Sequence, residues 1–382
     1  MKIALIAPTA LPARRANTIQ VMKMAQALAI CGHTVRLASP RLSGAAPEPI
    51  RWDELARHYG LQGGEAARFP VEWLPARPRL RRYDYAWHAV RWARGWGAEI
   101  LYTRLPQAAA LASWLGLPTL FEVHDLPQGR MGPYLFRRFL KGGGARRLVA
   151  ITHALADDLT RQFGAPAGPP FTCIAPDGVD LARYAGLPAP KAARRMLELP
   201  EGFTAGYTGH LYAGRGAELL LAMAERLPEV RFLLAGGEPP DVARVQADAE
   251  RGGLHNVVLT GFIPNLDLPV YQAACDVLLM PYQRQVAASS GGDISRYLSP
   301  MKLFEYLACG RTILSSDLPV LREVLNAGNA VLLPPGEPQA WAKALQALQA
   351  DPARRASLAD QSRQDAGLYT WEARAVKILE GL

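Results

Sequence analysis

The 382-residue sequence carries four cysteines, Cys31, Cys173, Cys275 and Cys309, and no two of them form a C-x-x-C pair. That scatter argues against a disulfide framework or a cysteine zinc site, and predicts free thiols in a reducing compartment. There is no run of about 18 apolar residues, the length needed to cross a bilayer. The opening run Ile3–Ala7 stops at Pro8 and is too short for a secretory signal core. A cytoplasmic location is the expectation. The first strand candidate is followed by P-T-A-L-P-A-R-R-A-N where a dinucleotide-binding turn would read G-x-G-x-x-G, which counts against an NAD enzyme. No short-period repeat is visible, so a solenoid is set aside.

What is present is ordinary globular composition, 49% hydrophobic and 20% charged, at a length that predicts about two domains. The net charge of +9 is unevenly placed. Residues 1–185 hold 24 Lys/Arg against 13 Asp/Glu, a net of +11, and residues 186–382 hold 19 against 21, a net of −2. A basic first half points to an anionic partner: nucleic acid, an anionic membrane surface or a phosphate-bearing substrate. A plain solvated surface is the competing explanation.

Apolar runs of strand length alternate with helical patterns throughout. In the first half the strands are read at Ile3–Ala7, Thr34–Ala38, Glu99–Thr103, Thr119–Val123, Arg147–Ile151 and Phe171–Ala175. Asn17 is expected to cap the first helix and Thr152 a later one. The pattern loosens at Leu187–Lys191, the best linker candidate, and restarts with strands at Phe203–Thr208, Val230–Ala235, Val257–Gly261, Asp276–Met280, Thr312–Ser316 and Ala330–Leu333. Such alternation predicts two α/β domains with parallel sheets covered on both faces. Residues 77–96 interleave Arg77, Arg79, Arg81, Arg82, Arg91 and Arg94 with Tyr83, Tyr85, Trp87, Trp92 and Trp96. That mixture fits a helix packing its aromatic side on the domain, and also one lying at a membrane interface.

The stretch richest in chemistry is Ser299-Pro300-Met301-Lys302-Leu303-Phe304-Glu305-Tyr306-Leu307-Ala308-Cys309-Gly310. Pro300 near a helix start presets φ, and the free amides of Met301 and Lys302, with the helix dipole, suit a diphosphate. Glu305, one turn on, can accept two hydroxyls of a vicinal diol such as a ribose. The competing reading is a buried amphipathic helix with one exposed Glu.

This stretch resembles the signature helix of glycosyltransferase family 4, the retaining family of GT-B fold, in a branch reading S-P-x-K-L-F-E-Y. Other segments are similar to the same family. They are Gly209-His210-Leu211-Tyr212-Ala213-Gly214-Arg215-Gly216, Asn256–Pro264, Ala175–Asp180, Phe121-Glu122-Val123-His124-Asp125 and the closing Tyr369–Arg374. The resemblance implies two Rossmann-like domains facing across a cleft: an acceptor domain at 1–184 and a donor domain at 185–365, with a last helix at 366–382 packing back on the first. It implies a nucleotide-sugar donor as substrate and no cofactor. His124, Arg215, Lys302 and Glu305 would be its catalytic groups, and Gly209, His210, Gly261, Phe262, Ser299, Pro300 and Met301 its donor contacts. An active-site His at position 124 would be a sugar or phosphate contact. The family's Glu-x7-Glu pair would put its first Glu at 297, where this chain has Tyr297.

A metal-dependent transferase would show Asp-x-Asp, and none occurs. Arg215, Lys302 and helix amides are then expected to neutralise the leaving diphosphate without a metal. Arg14, Arg15 and Asn17, after the first strand, are the acceptor-binding candidates. A saccharide or lipid-linked acceptor, peripheral association with the inner face of the membrane and a role in surface polysaccharide synthesis follow as expectations. The alternatives are a GT-B sugar-nucleotide epimerase and a basic nucleic-acid-binding module. No recognised nucleic-acid motif supports the second.

Overall fold

The computed structural model describes residues 1–42, 51–80, 82–287 and 292–382. The chain divides into two compact units, Met1–Asp177 with Trp371–Leu382, and Gly178–Thr370. The first is built on a parallel sheet of β1 (Lys2–Ile6), β2 (Thr34–Leu42), β3 (Val71–Ala76), β4 (Ile100–Thr103), β5 (Thr119–Val123), β6 (Ala145–Ala150) and β7 (Thr172–Ile174), in the order β3-β2-β1-β4-β5-β6-β7. Ile3 is in register with Val35 on one side and Ile100 on the other. Strands β4 and β5 are buried along their whole length, the pattern of a sheet covered on both faces by helices.

Strand β3 was not expected from the sequence. Its V-E-W-L-P-A run carries Glu72 and Pro75, and proline is confined to sheet edges because it cannot donate to a ladder. Here β3 is the edge, paired among the described residues with β2 alone.

The second unit repeats the plan with β8 (Thr204–Thr208), β9 (Arg231–Ala235), β10 (Val257–Gly261), β11 (Val277–Met280), β12 (Thr312–Ser316) and β13 (Ala330–Leu333), in the order β10-β9-β8-β11-β12-β13. The two-residue period of a strand divides its core. Val277 and Leu279 of β11 pack with Tyr207 and Phe232 on one face, while Leu278 and Met280 pack with Phe304 and Tyr306 on the other. Each such side chain, once buried, contributes about 1.5–3 kcal/mol. In both sheets the strand order reverses once, between β1 and β4 and between β8 and β11. Ligands of open α/β sheets bind beyond the carboxyl ends of the strands at such reversals.

The unit boundaries differ from the expected 184/185 and 365/366. The chain leaves the first unit after Asp177 and returns at Trp371. The proline-rich stretch 187–191 is no linker, because Val179, Tyr184 and Ala193 on either side of it are buried in the second unit's core. The returning helix Trp371–Leu379 packs against the helix Ala16–Ile30. Arg147 of β6 clamps its end, Nη1 donating to the Ile378 carbonyl at 2.7 Å and Nη2 to that of Glu380 at 2.7 Å.

Candidate active site

In the second unit, the loop leaving β8 turns at Gly209, where φ is +127°. A Cβ there would lie 2.8 Å from Nζ of Lys302, so only glycine admits both the backbone and the lysine. Lys302 sits in the first turn of the helix Met301–Cys309, with Pro300 as the N-cap at φ −80°, ψ 130°, one position earlier than the first helical residue. Its Nζ is sealed from solvent, has no hydrogen-bond partner among the described residues, and lies 3.7 Å from the centre of the Tyr207 ring. Burial drives the ammonium well below the ordinary lysine range, Arg215 adds to the shift and Glu305 opposes it. Arg215 lies over the Tyr282 ring at 5.3 Å, with Nη1 3.3 Å from the Tyr282 hydroxyl. Gly216 holds that loop against β11's exit, where a Cβ would meet the Pro281 carbonyl at 2.0 Å. Two cations and a helix N-terminus thus converge at the β8/β11 reversal with aromatic faces for company, an arrangement suited to an anion.

Glu305, half-buried one turn into the same helix, accepts from Gln272 Nε2 at 3.2 Å. Tyr306 faces inward and accepts from the Thr208 amide at 2.8 Å, tying helix to strand end. His210 stacks flat on Tyr212, with ring centres 4.6 Å apart. Gly261 ends β10 at φ +68°, its carbonyl accepting from Gly236 N at 2.8 Å, and Phe262 beyond it is 42% exposed. Ser299 and Met301 are half-buried beside the helix start. Tyr297, at the family's first Glu position, is buried.

A second cluster lies in the first unit. Glu122 is buried within β5 and saturated. Its Oε1 accepts from His124 Nε2 at 2.5 Å, from Gln20 Nε2 at 2.8 Å and from Arg374 Nη2 at 3.0 Å, and its Oε2 from the Tyr102 hydroxyl. Burial alone would raise the Glu122 carboxyl, but Arg374 and the His124 hydrogen bond outweigh it and hold the group below its ordinary range. His124 is lowered by burial and by Arg104, which outweigh Glu122, so the imidazole is neutral at pH 7. With Nε2–H donating to a carboxylate, Nδ1 keeps its lone pair. Burial raises Asp177 and lowers Arg104 to about 10. Ligand atoms of Glu122, His124 and Asp177 lie within 4.8 Å of one another, a spacing that would suit a metal. The Glu122 oxygens are already committed to four donors, which makes the group an ion-pair hub.

Residues 18–183 match the description Glycosyltransferase Family 4, and residues 202–351 match Glycosyl transferases group 1. The chain belongs to glycosyltransferase family 4. This glycosyltransferase is 31% identical to the D-inositol 3-phosphate glycosyltransferase of Xylanimonas cellulosilytica over 61% of the chain, a match spanning only 55% of that relative. It is 25% identical to the phosphatidyl-myo-inositol mannosyltransferase of Mycolicibacterium smegmatis, over 99% of this chain and 92% of that one. Among solved structures, Anabaena HepE in complex with UDP-glucose superposes with a TM-score of 0.74 at 20% identity, covering 100% of this chain and 98% of that one. The fold is GT-B.

Sequence reasoning missed Glu122, Arg374, Tyr102 and Gln20 of the glycosyltransferase, although Glu122 lay in the segment quoted for His124. Arg14 and Arg15 are exposed after β1. Arg15 is the N-cap of the first helix, which corrects the expected cap at Asn17. Asn17 lies inside that helix, and its amide donates to Thr9 Oγ1 at 2.8 Å, pinning the preceding loop instead. The segment 77–96 forms the helix Tyr83–Trp96, with Tyr85 buried and donating to the Ala7 and Ala38 carbonyls while Trp87 is 53% exposed. Arg81 lies outside the described residues. No helix of the described residues is long and apolar enough to cross a membrane.

Proposed function

We propose that this glycosyltransferase takes a sugar from a nucleoside-diphosphate donor, seats the diphosphate on Lys302, Arg215 and the first amides of the helix Met301–Cys309, and transfers with retention. The observation that carries this reading is the buried Lys302 Nζ, which has no hydrogen-bond partner among the described residues. A sealed ammonium with no hydrogen-bonded anion, and only the more distant influence of Glu305 to offset its burial, is costly, and an incoming phosphate would relieve that cost. Glu305 then receives the ribose hydroxyls, exposed Phe262 and Gly261 border the base, and Gly209 and His210 line the phosphates with Ser299, Pro300 and Met301. The two cations and the helix dipole supply the leaving-group stabilisation, so no metal is required. UDP-glucose in Anabaena HepE and the inositol phosphate and phosphatidylinositol acceptors in the relatives' names support a nucleotide-sugar donor and a saccharide or lipid-linked acceptor.

His124 offers Nδ1 to a substrate hydroxyl, and Arg14 and Arg15 face a phosphate on the acceptor. The +11 balance of residues 1–185 and the exposed Trp87 favour work at an anionic membrane face. The deciding experiment is a thermal-shift screen of UDP-, GDP- and ADP-sugars in EDTA. One donor class should raise the melting temperature of wild type, and raise that of the Lys302→Met variant by clearly less at the same concentration. No shift with any nucleotide, or a shift only after adding Mg²⁺ or Mn²⁺, would contradict the reading.

A further inference from the structure

The Arg374 guanidinium enters the first unit from the returning helix and spends every edge. Nε donates to the Pro176 carbonyl at 2.8 Å, Nη1 to the Tyr102 hydroxyl at 3.1 Å, and Nη2 to the Ala175 carbonyl at 3.1 Å and Glu122 at 3.0 Å. Its side chain is 3% exposed and that of Glu122 is fully buried. Glu122 in turn meets His124 Nε2 at 2.5 Å. Gln20 joins the hub from the first helix, its Oε1 accepting from Arg104 at 3.3 Å and its amide donating to Glu122.

We propose that Arg374 is a positioning residue for the His124 site: by neutralising Glu122 it fixes His124 as the Nε2–H tautomer, with Nδ1 presented as an acceptor to substrate. The last part of this statement rests on the reading of His124 as a substrate contact. The physics is a chain of three charges. Without the guanidinium, Glu122 would be a buried carboxylate held by the neutral donors Gln20 and Tyr102, with the imidazole as the hydrogen-bonded partner that can become a cation. His124 would then take a proton, and its Nδ1 would change from acceptor to donor. The groups facing His124 are Glu122 near the end of β5, Arg104 after β4, Asp177 on the segment leaving the unit and, through Glu122, Arg374 from the returning helix. Asp125, next in sequence, turns its carboxylate to the Leu126 amide and the Gln128 side chain. A planar fork is needed because four acceptors are held at once, which a lysine point charge cannot do.

The test uses the full-length enzyme labelled with ¹⁵N-histidine, with the His124 resonances assigned by loss in His124→Gln. Wild type should show a neutral ring protonated at Nε2 at pH 7. Arg374→Met should show an imidazolium at the same pH, and the acid limb of its kcat/KM profile should move to higher pH, with a loss of about 10²-fold at pH 7, the scale of a misplaced reacting group. Arg374→Lys should restore the charge state in part. Should Arg374→Met fail to fold, Glu122→Gln keeps the shape and removes the carboxylate, and its His124 should lose the single-tautomer signature. An unchanged His124 signature in the folded variants would overturn the proposal. A changed signature with unchanged kinetics would keep Arg374 as the residue that sets the His124 tautomer and overturn the reading of His124 as a substrate contact.

Discussion

Lys302 and Arg374 are both buried cations at the carboxyl ends of a parallel sheet, and they differ in company. Arg374 has a carboxylate at 3.0 Å and three further acceptors. Lys302 has an aromatic face at 3.7 Å and no hydrogen-bond partner among the described residues. A folded chain tolerates an uncompensated buried ammonium only at a cost, and the cost makes sense where a ligand later supplies the anion. A fully matched ion pair, by contrast, serves the protein's own architecture. On the proposed reading, partnership, more than burial, separates a ligand-binding cation from a structural one.

The largest expected effect falls on catalysis. Lys302→Ala or Arg215→Ala should lower turnover by about 10²–10³, the range for losing one preorganised charge on a developing anion. Steady-state kinetics at saturating donor measures this, and a loss below fivefold would break the contrast. Next comes stability without ligand. Arg374→Met should cost about 3–5 kcal/mol in denaturant melts, because it strands a buried carboxylate. Lys302→Met should be neutral or stabilising in the same experiment. Equal destabilisation by both would erase the distinction.

A smaller effect is expected at Glu305, whose carboxylate already has one donor in Gln272. Glu305→Ala should weaken nucleotide binding by about 10- to 150-fold, corresponding to about 1.5–3 kcal/mol for charge-assisted bonds. Calorimetry showing affinity unchanged within twofold would remove it from the site. The smallest effect is on pH. His124 and Glu122 both titrate lower in the folded chain than their ordinary values of 6.5 and 4.5. The unfolded chain therefore binds more protons in each window. Stability falls as pH drops from 6.5 towards the folded value of His124, and again below 4.5 towards that of Glu122. Glu122→Gln should remove the lower step, and an unaltered acid melting profile would count against the hub.

The cluster of Lys302, Arg215 and Glu305, which we propose holds the donor, was legible as a cluster because its chemistry is local. Ser299–Gly310 carries its own helix start, lysine and carboxylate within two turns, and Gly209–Gly216 carries both the glycines and the arginine of one loop. The hub around Glu122 was not legible. A glutamate inside T-L-F-E-V reads as a flaw in a buried strand until its partner is known, and Arg374 lies more than two hundred residues further along the chain. The strand periods also outlined both sheets except at β3, where Glu72 and Pro75 hide an edge strand that needs neither full burial nor every ladder bond. The linker was misplaced at 187–191 because proline density marks a local bend, whereas the unit boundary is set by which core buries Val179 and Tyr184.

The central claim is that Lys302 waits for a diphosphate, and calorimetric titration of wild type and Lys302→Met tests it most directly. UDP, GDP and ADP are each titrated into both proteins in EDTA, with inorganic pyrophosphate as the base-free control. Wild type should bind one nucleotide class at least about 10-fold more tightly than the variant, the factor for losing a charge-assisted contact. The variant's ligand-free melting temperature should be equal or higher. Equal affinity in the two proteins, or a variant that melts earlier and binds as well, would contradict the account.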